Sequence, residues 1–275
     1  MVAGATLLTA GCGGAGDGGG GAAPAEAVRA LEAGGYRSTL VARGSVDASR
    51  ASQSAQATFE QSEQAIRGPR RGSVAHESPT RYEINNGWED QAILFYDGAL
   101  YVTVNGGGRW AQVEGVARKA VPVGGTLSED APEALEAARE VGTAAAGART
   151  ATVYRASIAK GNDEAILSPI AGTLGQAGAR LGDAVQLAGA TIEVAIDDAS
   201  GDILRMRLEY AIELDAAGWA QRGALGGAYS GTVALKGTLV ETFTDIGGSV
   251  TVTKPANAVP VSTVRELGQF ALDAG

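Results

Sequence analysis

The stretch Ile203-Leu204-Arg205-Met206-Arg207-Leu208-Glu209-Tyr210-Ala211-Ile212-Glu213-Leu214 alternates apolar and polar side chains with a period of two. In an extended chain Leu204, Met206, Leu208, Tyr210, Ile212 and Leu214 fall on one side. Arg205, Arg207, Glu209 and Glu213 fall on the other. A β-strand with one face in a core and the other in water requires this pattern. The turn ahead of it, Asp197-Asp198-Ala199-Ser200-Gly201-Asp202, follows a segment in which Ile192, Val194 and Ile196 share a face. Beyond it, residues 232–244 place Val233, Leu235 and Leu239 inward, and Val250 and Val252 precede Lys254-Pro255, where proline ends ladder pairing.

The same period continues upstream. In residues 36–46, Tyr36, Ser38, Leu40, Ala42 and Val46 oppose Arg37, Thr39 and Arg43. In residues 54–65, Ala55, Ala57 and Phe59 oppose Gln56, Thr58 and Glu60, which predicts another strand. Tyr82 and Ile84 pair within residues 81–86. Residues 92–96 and 100–104 flank Asp97-Gly98, a strong two-residue hairpin signal, and a further strand is expected over residues 150–158.

Helical spacing interrupts the strands in a few places. Ala27, Val28 and Leu31 predict a helix from Pro24 to Ala33, with proline in the first turn and Gly34-Gly35 as the stop. Asp130-Ala131-Pro132-Glu133 opens a second, running to about Val141, with an acidic first turn that suits the helix dipole. Ile170, Leu174, Ala177, Leu181 and Val185 step by three and four through an Ala/Gly-rich stretch, 164–187, and predict a third. A short helix after Val261 is expected from Val264, Leu267 and Leu272. Roughly ten hairpin-joined strands with inserted helices predict one α+β domain. Its expected form is a curved antiparallel half-barrel sheet enclosing the helices.

Composition limits the functions open to the chain. Its 275 residues are 45% hydrophobic, enough for a real core, and carry a net charge of −9, which disfavours nonspecific nucleic-acid binding. One cysteine excludes an internal disulfide and a Cys-cluster zinc site, and one histidine excludes a His-based metal centre. No metal site and no cofactor are therefore expected. No run approaches the roughly 18–20 apolar residues of a spanning helix.

The amino-terminal segment, Met1 to Cys12, is apolar, small and uncharged, like the end of a secretory signal. It is short and lacks a basic start, so the true start is expected upstream. Leu8-Thr9-Ala10-Gly11-Cys12 resembles the lipobox of bacterial lipoproteins, although Thr9 stands where leucine is usual. Cys12 is thus the expected lipid-attachment residue, and two acyl chains there would give durable membrane anchoring. Residues 13–23 are Gly-rich and read as a flexible tether. The formal Gly-x-Gly-x-x-Gly within it, at Gly14, Gly16 and Gly19, lacks the strand and helix a dinucleotide fingerprint needs.

No catalytic constellation emerges. His76 lies in a polar stretch between Arg71 and Pro79 and reads as a surface or loop imidazole. Asp197, Asp198 and Asp202 fit a hairpin turn better than an EF-hand loop, which needs a downstream bidentate glutamate. Glu60 and Glu63 fall on opposite faces of the expected strand and form no carboxylate pair. Arg67, Arg70 and Arg71, around Gly68-Pro69, read as an exposed basic turn. The inward faces are rich in small residues. They either collapse into a tight Ala/Gly core or leave an apolar cavity of the kind that stays dry and accepts hydrocarbon. Composition alone leaves both open.

Three segments carry a family resemblance. Leu94-Phe95-Tyr96-Asp97-Gly98-Ala99-Leu100-Tyr101-Val102 followed by Arg109-Trp110, the strand–turn–strand from Ala190 to Leu208, and Phe243 to Pro255 together resemble the actinobacterial lipoproteins of LolA-like fold, the LppX/LprG-type lipid carriers. The resemblance spans roughly residues 24–260, taken as one lipid-binding domain, with 261–275 as a carboxy-terminal tail that departs from the pattern. It implies a lipid-anchored, non-enzymatic protein on the extracytoplasmic face of the cell membrane. Its partner would be an acyl lipid or glycolipid, held in a hydrophobic cavity and shuttled. On strand and helix parity the expected lining is Leu40, Phe59, Ile84, Leu100, Leu174, Leu181, Val194, Met206, Leu208, Val233 and Leu235. The alternative is a membrane-tethered scaffold module that recruits a protein through a sheet edge or loop, without a lipid ligand.

Overall fold

Strand β1 (Tyr36–Asp47) is the seam of the molecule, pairing with β2 on one side and with the distant β11 on the other. The computed structural model describes residues 22–87, 91–104, 109–116, 131–146, 149–158, 184–222, 228–263 and 266. In chain order the elements are α1 (Ala22–Ala33), β1, α2 (Gln53–Arg67), β2 (Arg70–Ser78), β3 (Arg81–Asn86), β4 (Gln91–Tyr96), β5 (Ala99–Val104) and β6 (Arg109–Glu114). They continue with α3 (Ala131–Leu135), β7 (Arg139–Ala146), β8 (Arg149–Ile158), β9 (Val185–Asp197), β10 (Ile203–Asp215), α4 (Ala216–Arg222), β11 (Thr232–Thr244) and β12 (Ala258–Pro260).

The twelve strands form one curved, unclosed sheet in the order β12-β6-β5-β4-β3-β2-β1-β11-β10-β9-β8-β7. It consists of two antiparallel meanders, β1–β6 and β7–β11, joined where β11 returns to β1. The expected α+β sheet architecture is therefore present, with one local exception: β12 runs parallel to β6 at the edge. The helices are insertions in strand connections, α2 between β1 and β2 and α4 between β10 and β11.

Alternation decides which face is buried. The β10 pattern places Met206, Leu208, Tyr210, Ile212 and Leu214 inward, on the side covered by α1 and α4, and Arg205, Arg207 and Glu209 outward. The Asp97-Gly98 hairpin is as expected, with φ of 48° and 85° at the two central residues, which matches the twist of the flanking strands.

Several expectations are corrected. Residues 54–65 are not a strand but most of α2. Ala55 and Phe59, four apart, are both buried while Ala57 is exposed, so the apolar set follows a helical rather than a two-residue period. Glu60 and Glu63, three apart in that helix, do not lie on opposite strand faces. The helix from Asp130 ends at Leu135, and Arg139 onward is strand β7. Residues 159–183, including Leu174 and Leu181 of the expected third helix, lie outside the described residues. Val185 and Leu187, assigned to its end, belong to β9.

Arg70 and Arg71 open β2 rather than forming a turn, and His76 sits within that strand, 2% exposed. A register shift between Ile203 and Arg205 reverses the expected side of Leu204. That residue packs with Ala151 and Ala195 on the outer face, while Ile203 joins the main core. Val250 and Val252 are buried but unladdered, and the last strand comes later, at Ala258–Pro260.

Candidate functional site

The inner face of the sheet is read from its register. One cross-strand row runs Tyr36, His76, Tyr82, Phe95, Leu100, Val113 over six strands. The next contains Phe243, Ser38, Val74, Ile84, Ile93, Val102 and Ala111. A third runs Leu40, Glu241, Met206, Val194, Tyr154, and a fourth Ala42, Leu239, Leu208, Ile192, Ala156. Towards the far end, Leu235 pairs with Ile212 and Val233 with Leu214.

Nine of the residues expected from parity are therefore on this face or against it. Leu40, Ile84, Leu100, Val194, Met206, Leu208, Val233 and Leu235 come from six strands, and Phe59 comes from α2. All belong to one contiguous apolar cluster and none is more than 6% exposed. Leu174, Leu181 and Cys12 lie outside the described residues. Small residues are interleaved with the large ones. At Gly237 the reason is visible: the Tyr210 ring lies over it, and a Cβ there would overlap the ring.

Among the described residues, three buried polar side chains share this face, and the register adds half-buried Arg70 opposite Ala42. Glu241 is 1% exposed, with Leu40 and Met206 as its register neighbours, and its Oε1 accepts a 2.5 Å hydrogen bond from the Ser38 hydroxyl. His76 stacks between Tyr36 (centroids 4.5 Å apart) and Tyr82 (6.2 Å), with Nδ1 3.0 Å from the Gly34 carbonyl oxygen. The expectation of a surface histidine fails because β2 follows α2 directly and carries residue 76 inward beside Tyr36, a placement that local polarity does not reveal. Ser38 is legible from the parity of β1. Glu241 was missed, although the inward parity of Val233, Leu235 and Leu239 extends to it.

Where α2 and α4 meet the sheet, Phe59 packs on Trp219 (4.8 Å between centroids), and the Thr58 hydroxyl is 3.1 Å from that of Tyr229. A cavity of about 360 Å3 opens beside them, bordered by Val46, Asp47, Gln56, Phe59 and Glu60. A larger hollow, about 710 Å3, opens on the outer face over Ala195 and Leu204, rimmed by Arg149, Asp202, Arg205 and Asp245.

Charge is concentrated outside. Arg81 bridges Asp97 (2.8 Å) and Glu77 (3.2 Å), Arg155 pairs with Glu193 (2.5 Å), and Arg207 with Glu209. The Arg81 guanidinium holds the Asp97 carboxyl below the usual carboxylate range. For Glu77 the Val252 N–H, ahead of Arg81, does the same. Asp197 accepts from Arg149 and the Ala199 N–H, Asp198 from Thr152 and Asp202 from Ser200, as a hairpin turn requires.

No protein-family model matches the chain, and none of the curated proteins matches it. Among solved structures it is similar to the lipoprotein LppX of Mycobacterium tuberculosis, at 11% identity over 84% of this chain and 97% of that one, with a TM-score of 0.40. It is also similar to LprF from Mycobacterium bovis, at 15% identity over 87% and 100% of the two chains and a TM-score of 0.40. A DUF1329 family protein from Desulfovibrio piger matches at 10% identity over 84% and 92%, with a TM-score of 0.23.

Proposed function

We propose that this protein is a cell-envelope lipoprotein that binds an acyl lipid or glycolipid against the inner face of its sheet and passes it on. The observation that carries the reading is the convergence of these side chains from six strands and α2 on one continuous apolar cluster. The Arg81–Asp97, Arg155–Glu193 and Arg207–Glu209 pairs lie on the opposite side. In this reading Cys12 is acylated, residues 13–23 form the tether, residues 24–260 form the binding domain, and the protein works on the extracytoplasmic face of the cell membrane. The mechanism is passive. Acyl chains leave the bilayer, part the helical layer from the sheet and replace its contacts, while the polar head stays at the rim. Each methylene transferred from water gains about 0.8 kcal/mol.

A second reading, a tethered scaffold module whose inner face is only core, is favoured by the near-zero exposure of the same side chains. Native mass spectrometry of protein purified from its own host separates the two. The lipid reading predicts a covalent acyl mass on Cys12 together with a noncovalent acyl-lipid adduct. An acylated Cys12 without the adduct contradicts lipid carriage and leaves the scaffold. An unmodified Cys12 contradicts the anchor.

A further inference from the structure

The outer face of the sheet carries more arginine than its own carboxylates engage. One cross-strand row there reads Arg71, Val41, Val240, Arg207, Glu193, Arg155 from β2 to β8. Arg43, Thr238 and Glu209 stand in the row on one side of it, and Thr39, Thr242 and Arg205 in the row on the other. All five arginines are exposed. Glu193 is bonded to Arg155 and Glu209 to Arg207. Arg43, Arg71 and Arg205 have no ion pair among the described residues. Five arginines against two glutamates leave a local surplus of three positive charges on a chain whose net charge is −9. Uncompensated like charge opposes folding, and a face that served solubility alone would intersperse the two signs.

The form of the patch limits what it can bind. With neighbouring strands about 4.8 Å apart, Arg71 and Arg155 stand about 24 Å from each other. Threonines and the half-buried Val41 and Val240 separate the arginines. A socket for one phosphate needs donors that converge on a point, and these are spread over separate strands and rows. A broad face of separate cations is complementary to a broad face of separate anions. We infer that this outer face docks the domain on an anionic lipid bilayer, with the arginines of β1, β2 and β10 meeting headgroup phosphates. The inference goes beyond the lipid-carrying reading of the inner face and takes from it only the membrane setting. A chain anchored at Cys12 holds the patch at high effective concentration over the headgroups. Each arginine close to such a surface strengthens binding about fivefold, and salt weakens the attraction.

The test removes the anchor and reads the patch alone. The full-length Cys12→Ala chain is sedimented with vesicles of phosphatidylcholine, or of phosphatidylcholine and phosphatidylglycerol in equal parts. It should bind the mixed vesicles, release them as sodium chloride is raised, and ignore pure phosphatidylcholine. Adding Arg43→Gln and Arg71→Gln together should weaken binding to the mixed vesicles about twentyfold. Arg29→Gln removes one charge from α1, on the helical side of the sheet, and should leave binding unchanged. No binding to the mixed vesicles, equal binding to both kinds, or full binding by the double variant overturns the inference. So does release by inorganic phosphate well beyond that by sodium chloride of the same ionic strength, which marks a site for one phosphate. Capture of a soluble anionic polysaccharide with the vesicles left unbound overturns it as well. None of these outcomes touches the inner-face reading, because ligand occupancy is not measured. Conversely, a missing acyl-lipid adduct in native mass spectrometry contradicts lipid carriage and leaves the docking face standing.

Discussion

Tyr210 and Gly237 face each other across β10 and β11 and show how closely the inner face is fitted. The phenol lies where a side chain on residue 237 would stand, so Gly237→Ala forces either the ring or the strand to move. An overpacked core costs about 1–3 kcal/mol, and urea denaturation should show a loss in that range. Burial pushes the Tyr210 phenol up to about 12 from its ordinary value of 10.0. The neutral ring is thus favoured by the fold. Its contribution is complete below pH 10 and is lost between pH 10 and 12, where the unfolded chain ionises first. Thermal melts should fall more steeply over that window in the wild type than in Tyr210→Phe.

The same scale shows where sequence reading succeeded and failed. Parity along β1 and β10 assigned Ser38, Leu40, Met206 and Leu208 to the buried face because neither strand slips in register across those residues. His76 was misassigned because its burial depends on its partner Tyr36, forty residues away.

At the scale of elements, periodicity was least informative where it was shortest. Residues 54–65 satisfy a two-residue period and a helical one, and Ala55 and Phe59 belong to both sets. The structure resolves the ambiguity by burying those two against β1 and leaving Ala57 outside. The Leu204 error has a different origin: one inserted residue in β10 shifts the register, and nothing in an alternating sequence marks where the alternation slips. The segment after β11 shows a third case. Val252 is buried outside a ladder, against Leu94 and Tyr101, with its N–H donating to Glu77 at 2.8 Å.

That bond gives an acid-side prediction. The Glu77 carboxyl sits below its ordinary 4.5, first because of the Val252 N–H and then because of Arg81. A depressed carboxyl stabilises the fold above its ordinary value and loses that contribution as the pH falls through the folded one. Hydrogen exchange at the Val252 amide should therefore accelerate as the pH drops below about 4.5, after correction for intrinsic rates. Glu77→Gln should show reduced protection at neutral pH and a flatter profile.

At the scale of the whole molecule, two meanders closed by the β1–β11 pairing produce a sheet with one greasy inner side and an outer side that carries ion pairs around two small apolar clusters. The hairpin signals made the meanders legible. The closing pair was not, because nothing local links residues 36–47 to 234–244. The central claim is that the greasy side holds an acyl chain. The most direct measurement is photocrosslinking of the native protein with a diazirine-bearing palmitate ester, followed by residue-level mapping of the adducts. The account predicts adducts on Leu40, Met206 and Leu208, with Arg205, Arg207 and Glu209 on the same strand unlabelled. Adducts on those outward residues, or labelling no greater than that of unfolded protein, would contradict it.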